Sequence, residues 1–194
     1  DTSSNISYQD VISKLDSNGN HIWSTFYSKN DSKINAIMAA DKGLYIYGMH
    51  LATSSGSNYF GTSGSFLEAT SKKTNATSSV FLSKFNFNGE RLWSTYFANE
   101  KSYVPYPSNN ISKNPSNLTV IGDDVYFMTL HNNTVSQKSN NLASENAFIN
   151  QPPSKMQNHT LTKFNGDGVR QWTTYLVNYG LLFKSLKDDA LVIS

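Results

Sequence analysis

Short apolar runs alternate with polar turns along the whole chain. Runs rich in β-branched and aromatic residues stand on both sides of short segments that contain Asp, Asn and Gly. This pattern is typical of β-hairpins. No stretch of ten or more residues shows the 3.6-residue apolar period of a helix. The pattern therefore predicts an all-β fold.

One phrase containing a tryptophan occurs three times, at residues 11–27, 81–97 and 161–176. In each copy a lysine precedes the tryptophan by nine residues and a glycine precedes it by four. A short hairpin loop built on a type I turn needs positive φ at its last residue, which glycine supplies without steric cost. The repeated positions are Lys14, Gly19 and Trp23; Lys84, Gly89 and Trp93; and Lys163, Gly168 and Trp172.

A second hairpin is predicted after each of these phrases, at residues 34–50, 117–131 and 182–194. Two hairpins make a four-stranded antiparallel unit, so we predict three units, at about residues 8–50, 80–131 and 159–194. Long loops at 51–79 and 132–158 would carry the chain from one unit to the next. Phe66 and Phe148 are predicted to pin these loops to a sheet.

The phrase Lys84-Phe85-Asn86-Phe87-Asn88-Gly89, with Trp93-Ser94-Thr95-Tyr96 after it, resembles the SBBP repeat of bacterial β-propellers. Tyr45-Ile46-Tyr47-Gly48 resembles that family's second-hairpin phrase, and the resemblance covers most of the chain. It implies propeller blades in a large secreted or surface-attached bacterial protein, such as the type 9 secretion cargo of Bacteroidetes. Three blades fall below the about four that a closed ring needs, so we expect an incomplete part of a larger propeller.

Composition narrows the possible partners. The 194 residues carry 16 basic and 14 acidic side chains, a net charge of +2 without a basic stripe, so a nucleic-acid partner is not expected. No apolar run reaches the roughly 20 residues that span a bilayer, so no membrane insertion is expected. The absence of cysteine excludes disulfides and thiol chemistry. The 23 Asn and 28 Ser suit turns and loops.

Candidate chemistry is sparse in this sequence. It has no G-x-S-x-G elbow and no evident acid pair. Segment 16–20 lacks the glycine and glutamate of a calcium loop, and the four histidines lack metal-binding spacing. We therefore predict no catalytic residue, metal or cofactor. Tyr103 and Tyr106, in an insert at 100–116, are the candidate ligand-binding residues, whereas His50 and His131 are expected at solvated strand ends.

The recurring tryptophans and lysines have a structural and a functional interpretation. A tryptophan at the same place in every unit is predicted to fill the space between units, although indole faces also stack on sugars. Each lysine is predicted to pack its stem on an aromatic ring with its head in water. The alternative is a cationic ring around an anion.

These observations predict a non-catalytic extracellular or cell-surface module that acts as a scaffold or as a protein or glycan recognition surface. Its partners would be other blades of the same polypeptide, or partner proteins, that seal the open arc. One alternative is a propeller hydrolase or lyase acting on polysaccharide, with catalytic residues outside this stretch. Another is a passenger or subunit of a cell-surface secretion or gliding complex.

Overall fold

A computed structural model describes residues 10–27, 32–52, 61–65, 77–97, 102–103, 117–132, 142–153, 157–177, 183–185 and 191–193. The described residues form thirteen β-strands and no helix, which confirms the all-β prediction. The strands are β1 (Val11–Leu15), β2 (His21–Phe26), β3 (Ser32–Ala40), β4 (Gly43–Ala52), β5 (Thr77–Phe85), β6 (Arg91–Tyr96), β7 (Ser102–Tyr103), β8 (Leu118–Ile121), β9 (Asp124–Asn132), β10 (Gln157–Phe164), β11 (Arg170–Leu176), β12 (Phe183–Ser185) and β13 (Leu191–Ile193).

The three tryptophan phrases form the antiparallel hairpins β1–β2, β5–β6 and β10–β11. In each hairpin the lysine lies opposite the tryptophan, and the register shifts at the next residue. The turn glycines have φ of 81° to 85°, as the turn chemistry predicted. An Asp or Asn opens every turn because its side chain accepts two backbone N–H groups; Asp16 Oδ1, for example, accepts from Asn18 and Asn20.

The hairpins combine into two larger antiparallel sheets, one of four strands and one of five, and the hairpins that share a sheet are not the ones predicted to share it. β4 pairs with β5, giving a sheet in the order β3-β4-β5-β6. Likewise β9 pairs with β10, and both β7 and β8 pair with the other edge of β9. Each complete sheet thus joins a second hairpin to the tryptophan hairpin that follows it. The predicted units 8–50, 80–131 and 159–194 are therefore wrong as sheet boundaries.

Burial of the central strands explains why these hairpins share a sheet. Tyr45, Ile46 and Tyr47 are all 0% exposed, so the backbone of β4 is buried, and its N–H and C=O groups are satisfied by pairing with β3 at one edge and β5 at the other. The loops at 51–79 and 132–158 accordingly connect the second and third strands within a sheet and do not link separate units. The hairpins β1–β2 and β12–β13 are two-stranded half sheets on either side of the two complete sheets.

Successive sheets stack face to face in a propeller-like arrangement. Their first strands contact one another, β3 against β8 and β8 against β12. One apolar cluster lies between the two complete sheets and includes Tyr47, Phe97 and Phe127. A second lies between the first hairpin and the next sheet, where Tyr27 stacks on Phe81 with ring centroids 4.9 Å apart.

The turn glycines allow a direct test of this stacking. Gly19 and Gly168 have similar positive φ, but only Gly168 is covered: an added Cβ would lie 2.8 Å from Trp93, whereas Gly19 has no atom within 4 Å. We expect Gly19→Ala to lower the free energy of unfolding by about 1–2 kcal/mol, the cost of a left-handed alanine. Gly168→Ala should lower it by about a further 1–3 kcal/mol through overpacking. Urea titrations of both variants measure the difference, and equal losses would contradict the contact.

Candidate functional site

The recurring side chains form a row across each complete sheet. Tyr45, Lys84 and Trp93 lie opposite one another on three neighbouring strands. The Lys84 ammonium is 5.2 Å from the Tyr45 ring centroid, and the Tyr45 and Trp93 rings are 6.1 Å apart. The next sheet repeats this row with Tyr126, Lys163 and Trp172. The spacing of nine residues between lysine and tryptophan is thus the spacing of cross-strand neighbours.

The lysine and tryptophan of each of the first two tryptophan hairpins, β1–β2 and β5–β6, donate hydrogen bonds to one backbone carbonyl in the turn of the next tryptophan hairpin. Lys84 Nζ and Trp93 Nε1 both donate to Gly166 O, at 2.9 and 3.0 Å. Lys14 Nζ and Trp23 Nε1 both donate to Phe87 O, at 3.1 Å each. Trp23 and Trp93 therefore lie between successive sheets, as the repeat predicted.

A carboxylate from the neighbouring sheet completes the contact that Lys84 and Trp93 make with Gly166 O. Asp123 Oδ1 accepts from Lys84 Nζ at 2.9 Å and from the Tyr45 hydroxyl at 3.0 Å. Burial raises the pKa of Asp123, but the hydrogen bonds from Lys84 and Tyr45 outweigh it and hold that pKa below its usual value. Burial, with the Asp123 hydrogen bond next, raises the pKa of Tyr45. This network keeps Asp123 charged and Tyr45 neutral.

The lysine prediction is only half right. All three lysines lie over an aromatic ring as expected. The head of Lys84 is not in water, however, because this residue is 4% exposed and its ammonium is bound by a carboxylate and a carbonyl. The sequence signal for its aromatic neighbour was the shared repeat position of Tyr45 and Tyr126. Asp123 had no signal beyond its place in a turn.

Lys163 and Trp172, in the third tryptophan hairpin, have different partners. Lys163 Nζ lies 2.6 Å from Asp124 Oδ2, and this hydrogen bond raises the pKa of Lys163. The structure records no hydrogen bond from Trp172 Nε1 to any of the described residues.

The histidines do not lie where they were expected. His50 and His131 are 8% and 2% exposed, so the prediction of solvated strand ends is wrong. Both residues belong to long strands that pair on two sides at these positions. His50 Nδ1 is 3.3 Å from the Tyr96 hydroxyl. His159, on β10, is also buried, and this burial lowers its pKa.

The described parts of the two long loops cap the outer edge of each complete sheet. Thr62 N donates to Ser94 O and Thr62 Oγ1 accepts from Ser94 N, at 2.9 and 3.2 Å. Ser144 makes the same pair of bonds with Thr173, at 2.8 and 3.0 Å. These bonds satisfy backbone groups of an outer strand that would otherwise be open to other chains.

Two predictions in the loops have different outcomes. Phe148 does not pin its loop to a sheet, because its side chain is 95% exposed. The loop is held instead by backbone bonds, among them Tyr175 N to Ile149 O at 3.0 Å. Phe66 and Tyr106 lie outside the described residues. Tyr103 pairs through its backbone with Leu130, and its side chain is not described.

The described residues hold no group of three or more His, Cys, Asp or Glu that could bind a metal. Asp16 is engaged by the amides of its own turn, and the hydrogen bonds from Asn20 and its neighbours lower its pKa. Within the same described part, no helix is long and apolar enough to cross a membrane.

No family model and no curated protein sequence matches the chain. The repeated lysine and tryptophan residues, with their tyrosine and aspartate neighbours, join successive sheets through hydrogen bonds, an ion pair and aromatic contacts.

The Lys84 network should contribute measurably to stability. Lys84→Met keeps the stem but removes one donor from Asp123 and one from the Gly166 carbonyl, and it leaves Asp123 without its buried counter-charge, so we expect a loss of about 1–3 kcal/mol. Lys163→Met is the matched control. Its partner Asp124 is more exposed, with a side-chain exposure of 36% against 29% for Asp123, so we expect a loss below about 1 kcal/mol. Chemical unfolding compares the two variants, and a larger loss at Lys163 would contradict the assignment.

Stability should also depend on pH through His159. Its pKa in the folded chain lies below the value of about 6.5 in an unfolded chain. As the pH falls, His159 therefore binds a proton in the unfolded state before it does so in the folded state. The stability that neutral His159 contributes above pH ~6.5 is lost as the pH falls below that value. His159→Gln should flatten the stability profile between about pH 6.5 and 5. His21→Gln, at an exposed position, is the control. Unchanged slopes in both variants would rule out His159 as the source.

Proposed function

We propose that the chain is a non-catalytic, extracellular propeller-like module that serves as a scaffold or recognition surface in a larger secreted bacterial protein. The observation that carries this proposal is the use of the recurring residues. Lys84, Trp93 and Tyr45 are all bound to the next sheet, so the most repeated chemistry of the chain serves sheet stacking. The resemblance to SBBP repeats supports the bacterial, exported setting.

Recognition falls on the loops at the outer sheet edges. The described loop 142–153 is anchored at several points: Arg170 Nη1 donates to Leu142 O, and Leu142 N donates to the Tyr175 hydroxyl. The same loop presents Phe148 to solvent at 95% exposure. An aromatic side chain on an anchored loop binds with little loss of conformational entropy. Phe148 is therefore our candidate contact residue for a protein or glycan partner.

The proposed partners at the sheet faces are further blades of the same polypeptide or proteins that seal the open arc. Half sheets such as β1–β2 leave backbone groups and apolar side chains that another sheet would cover. Export to the cell surface, by a route such as type 9 secretion, suits a cysteine-free chain of this kind.

An array of polysaccharides combined with an assay for new reducing ends tests the proposal. We expect binding without turnover, because no described residue is assigned a catalytic role. Phe148→Ser should weaken binding about tenfold, which corresponds to the loss of about 1.4 kcal/mol of stacking. Leu92→Ser, at a 49% exposed position on β6, is the matched control and should leave binding unchanged. New reducing ends would favour the hydrolase or lyase alternative and overturn the proposal.

A further inference from the structure

We propose that Asn88, in the turn between β5 and β6, is a site of spontaneous covalent modification. Its side-chain amide is lost to give aspartate and isoaspartate, and the isoaspartate form loosens the contact between the β1–β2 hairpin and this turn. The same tripeptide, Phe-Asn-Gly, stands at residues 87–89 and 164–166, but the structure exposes Asn88 to the reaction and protects Asn165 from it. This inference does not depend on what the module binds.

The reaction is a ring closure followed by hydrolysis. The backbone nitrogen of Gly89 attacks Cγ of Asn88 and loses its proton, a bond forms between these two atoms, and the side-chain nitrogen leaves as ammonia. Glycine favours this step because it has no Cβ to hinder the approach. Water then opens the succinimide ring. Cleavage of the new bond leaves aspartate, whereas cleavage of the original peptide bond leaves isoaspartate, whose main chain is longer by one carbon.

The side chain of Asn88 can reach the geometry of ring closure. Asn88 is exposed, and although its backbone N–H donates to Asn86 Oδ1, no hydrogen bond joins its side chain to any described residue. The attacking nitrogen of Gly89 donates to Asn86 O at 3.2 Å, at the long end of the range for such bonds. Asn18 is exposed at the same place in the first turn and is also followed by glycine, so we expect it to react too.

Asn165 has the same two neighbours in sequence but a different place in its turn. It opens the turn, and its Oδ1 accepts from the backbone N–H groups of Asp167 and Val169 at 3.1 and 2.9 Å. The amide group that would have to rotate toward the next nitrogen is therefore held by two hydrogen bonds. Ring closure at Asn165 has to break both of them.

The glycine that follows Asn165 is fixed by the neighbouring sheet. The carbonyl oxygen of Gly166 accepts from Lys84 Nζ and Trp93 Nε1. Its Cα is covered as well, since a Cβ added there would clash with the carboxylate of Asp123. Movement of this peptide group into a ring would disrupt the contact between the sheets. One tripeptide is thus reactive in one turn and protected in another.

Asn88 lies between the two groups of its turn that contact the first hairpin. On one side, Phe87 O accepts from Lys14 Nζ and Trp23 Nε1 at 3.1 Å each. On the other side, Gly89 is covered by the Trp23 ring, which would lie 3.0 Å from an added Cβ. An extra carbon between residues 88 and 89 separates the carbonyl from the glycine. The indole then loses one of its two contacts, whereas the aspartate product keeps the backbone and the junction.

Peptide mapping by mass spectrometry tests the site. After incubation of the folded 194-residue chain in mildly alkaline buffer, we expect Asn88 to lose its amide at least about tenfold faster than Asn165, because Asn165 must break its hydrogen bonds first. In denaturant the shared tripeptide should bring the two rates together. Equal rates in the folded chain, or a difference that persists in denaturant, would overturn the proposal.

Hydrogen exchange resolved by peptide tests the consequence for the first hairpin. Asn88→Ser removes the reactive amide at an exposed place and is the matched control, since Asn18 reacts in both chains. After ageing, we expect β2 to exchange about tenfold faster in the wild-type chain than in Asn88→Ser. Enzymatic methylation of isoaspartate measures the conversion. Equal exchange of β2 in the two aged chains, once isoaspartate has formed at position 88, would contradict the loosening of the junction.

Discussion

The contacts between successive sheets are centred on one backbone carbonyl in the turn of the second and of the third tryptophan hairpin. Phe87 O and Gly166 O each accept from a lysine and a tryptophan of the preceding sheet. Donors that are removed from water must find an acceptor or cost free energy. The carbonyl supplies this acceptor only when the indole can lie flat on the adjacent turn, which requires a glycine there. Lysine, glycine and tryptophan therefore recur together because they form one contact.

The two observed contacts differ in how much they exclude water. At the first, Lys14 lies over the Phe87 ring at 5.9 Å and its hydrogen bond is exposed. At the second, Lys84 is buried and Asp123 balances its charge. Tyr47 reaches across the same interface and donates to Met128 O. The same repeated residues thus build a stronger junction where a neighbouring carboxylate and a larger aromatic cluster are present.

Much of the local structure could be predicted from the sequence, and the pairing of hairpins could not. Hairpin turns are determined by residues within five positions, so Asp16, Gly19 and their equivalents indicated them directly. A repeat of two hairpins, however, gives the same sequence pattern whether a sheet begins with the tryptophan hairpin or with the second hairpin. The choice depends on which strands are buried on both faces, as β4 is, and on where the long loops lead. Asp123 was missed for a related reason, since its partners Lys84 and Tyr45 come from another sheet.

The observed strand order gives the long loops a structural role. A loop that linked two separate sheets would leave the first sheet, but a loop between two strands of one sheet returns to that sheet and can cover its outer strand. Thr62 and Ser144 do this with the same two hydrogen bonds each. Capping the outer edges suppresses sideways pairing. The faces of the sheets remain for stacking, and the lysine and tryptophan contacts join successive sheets there.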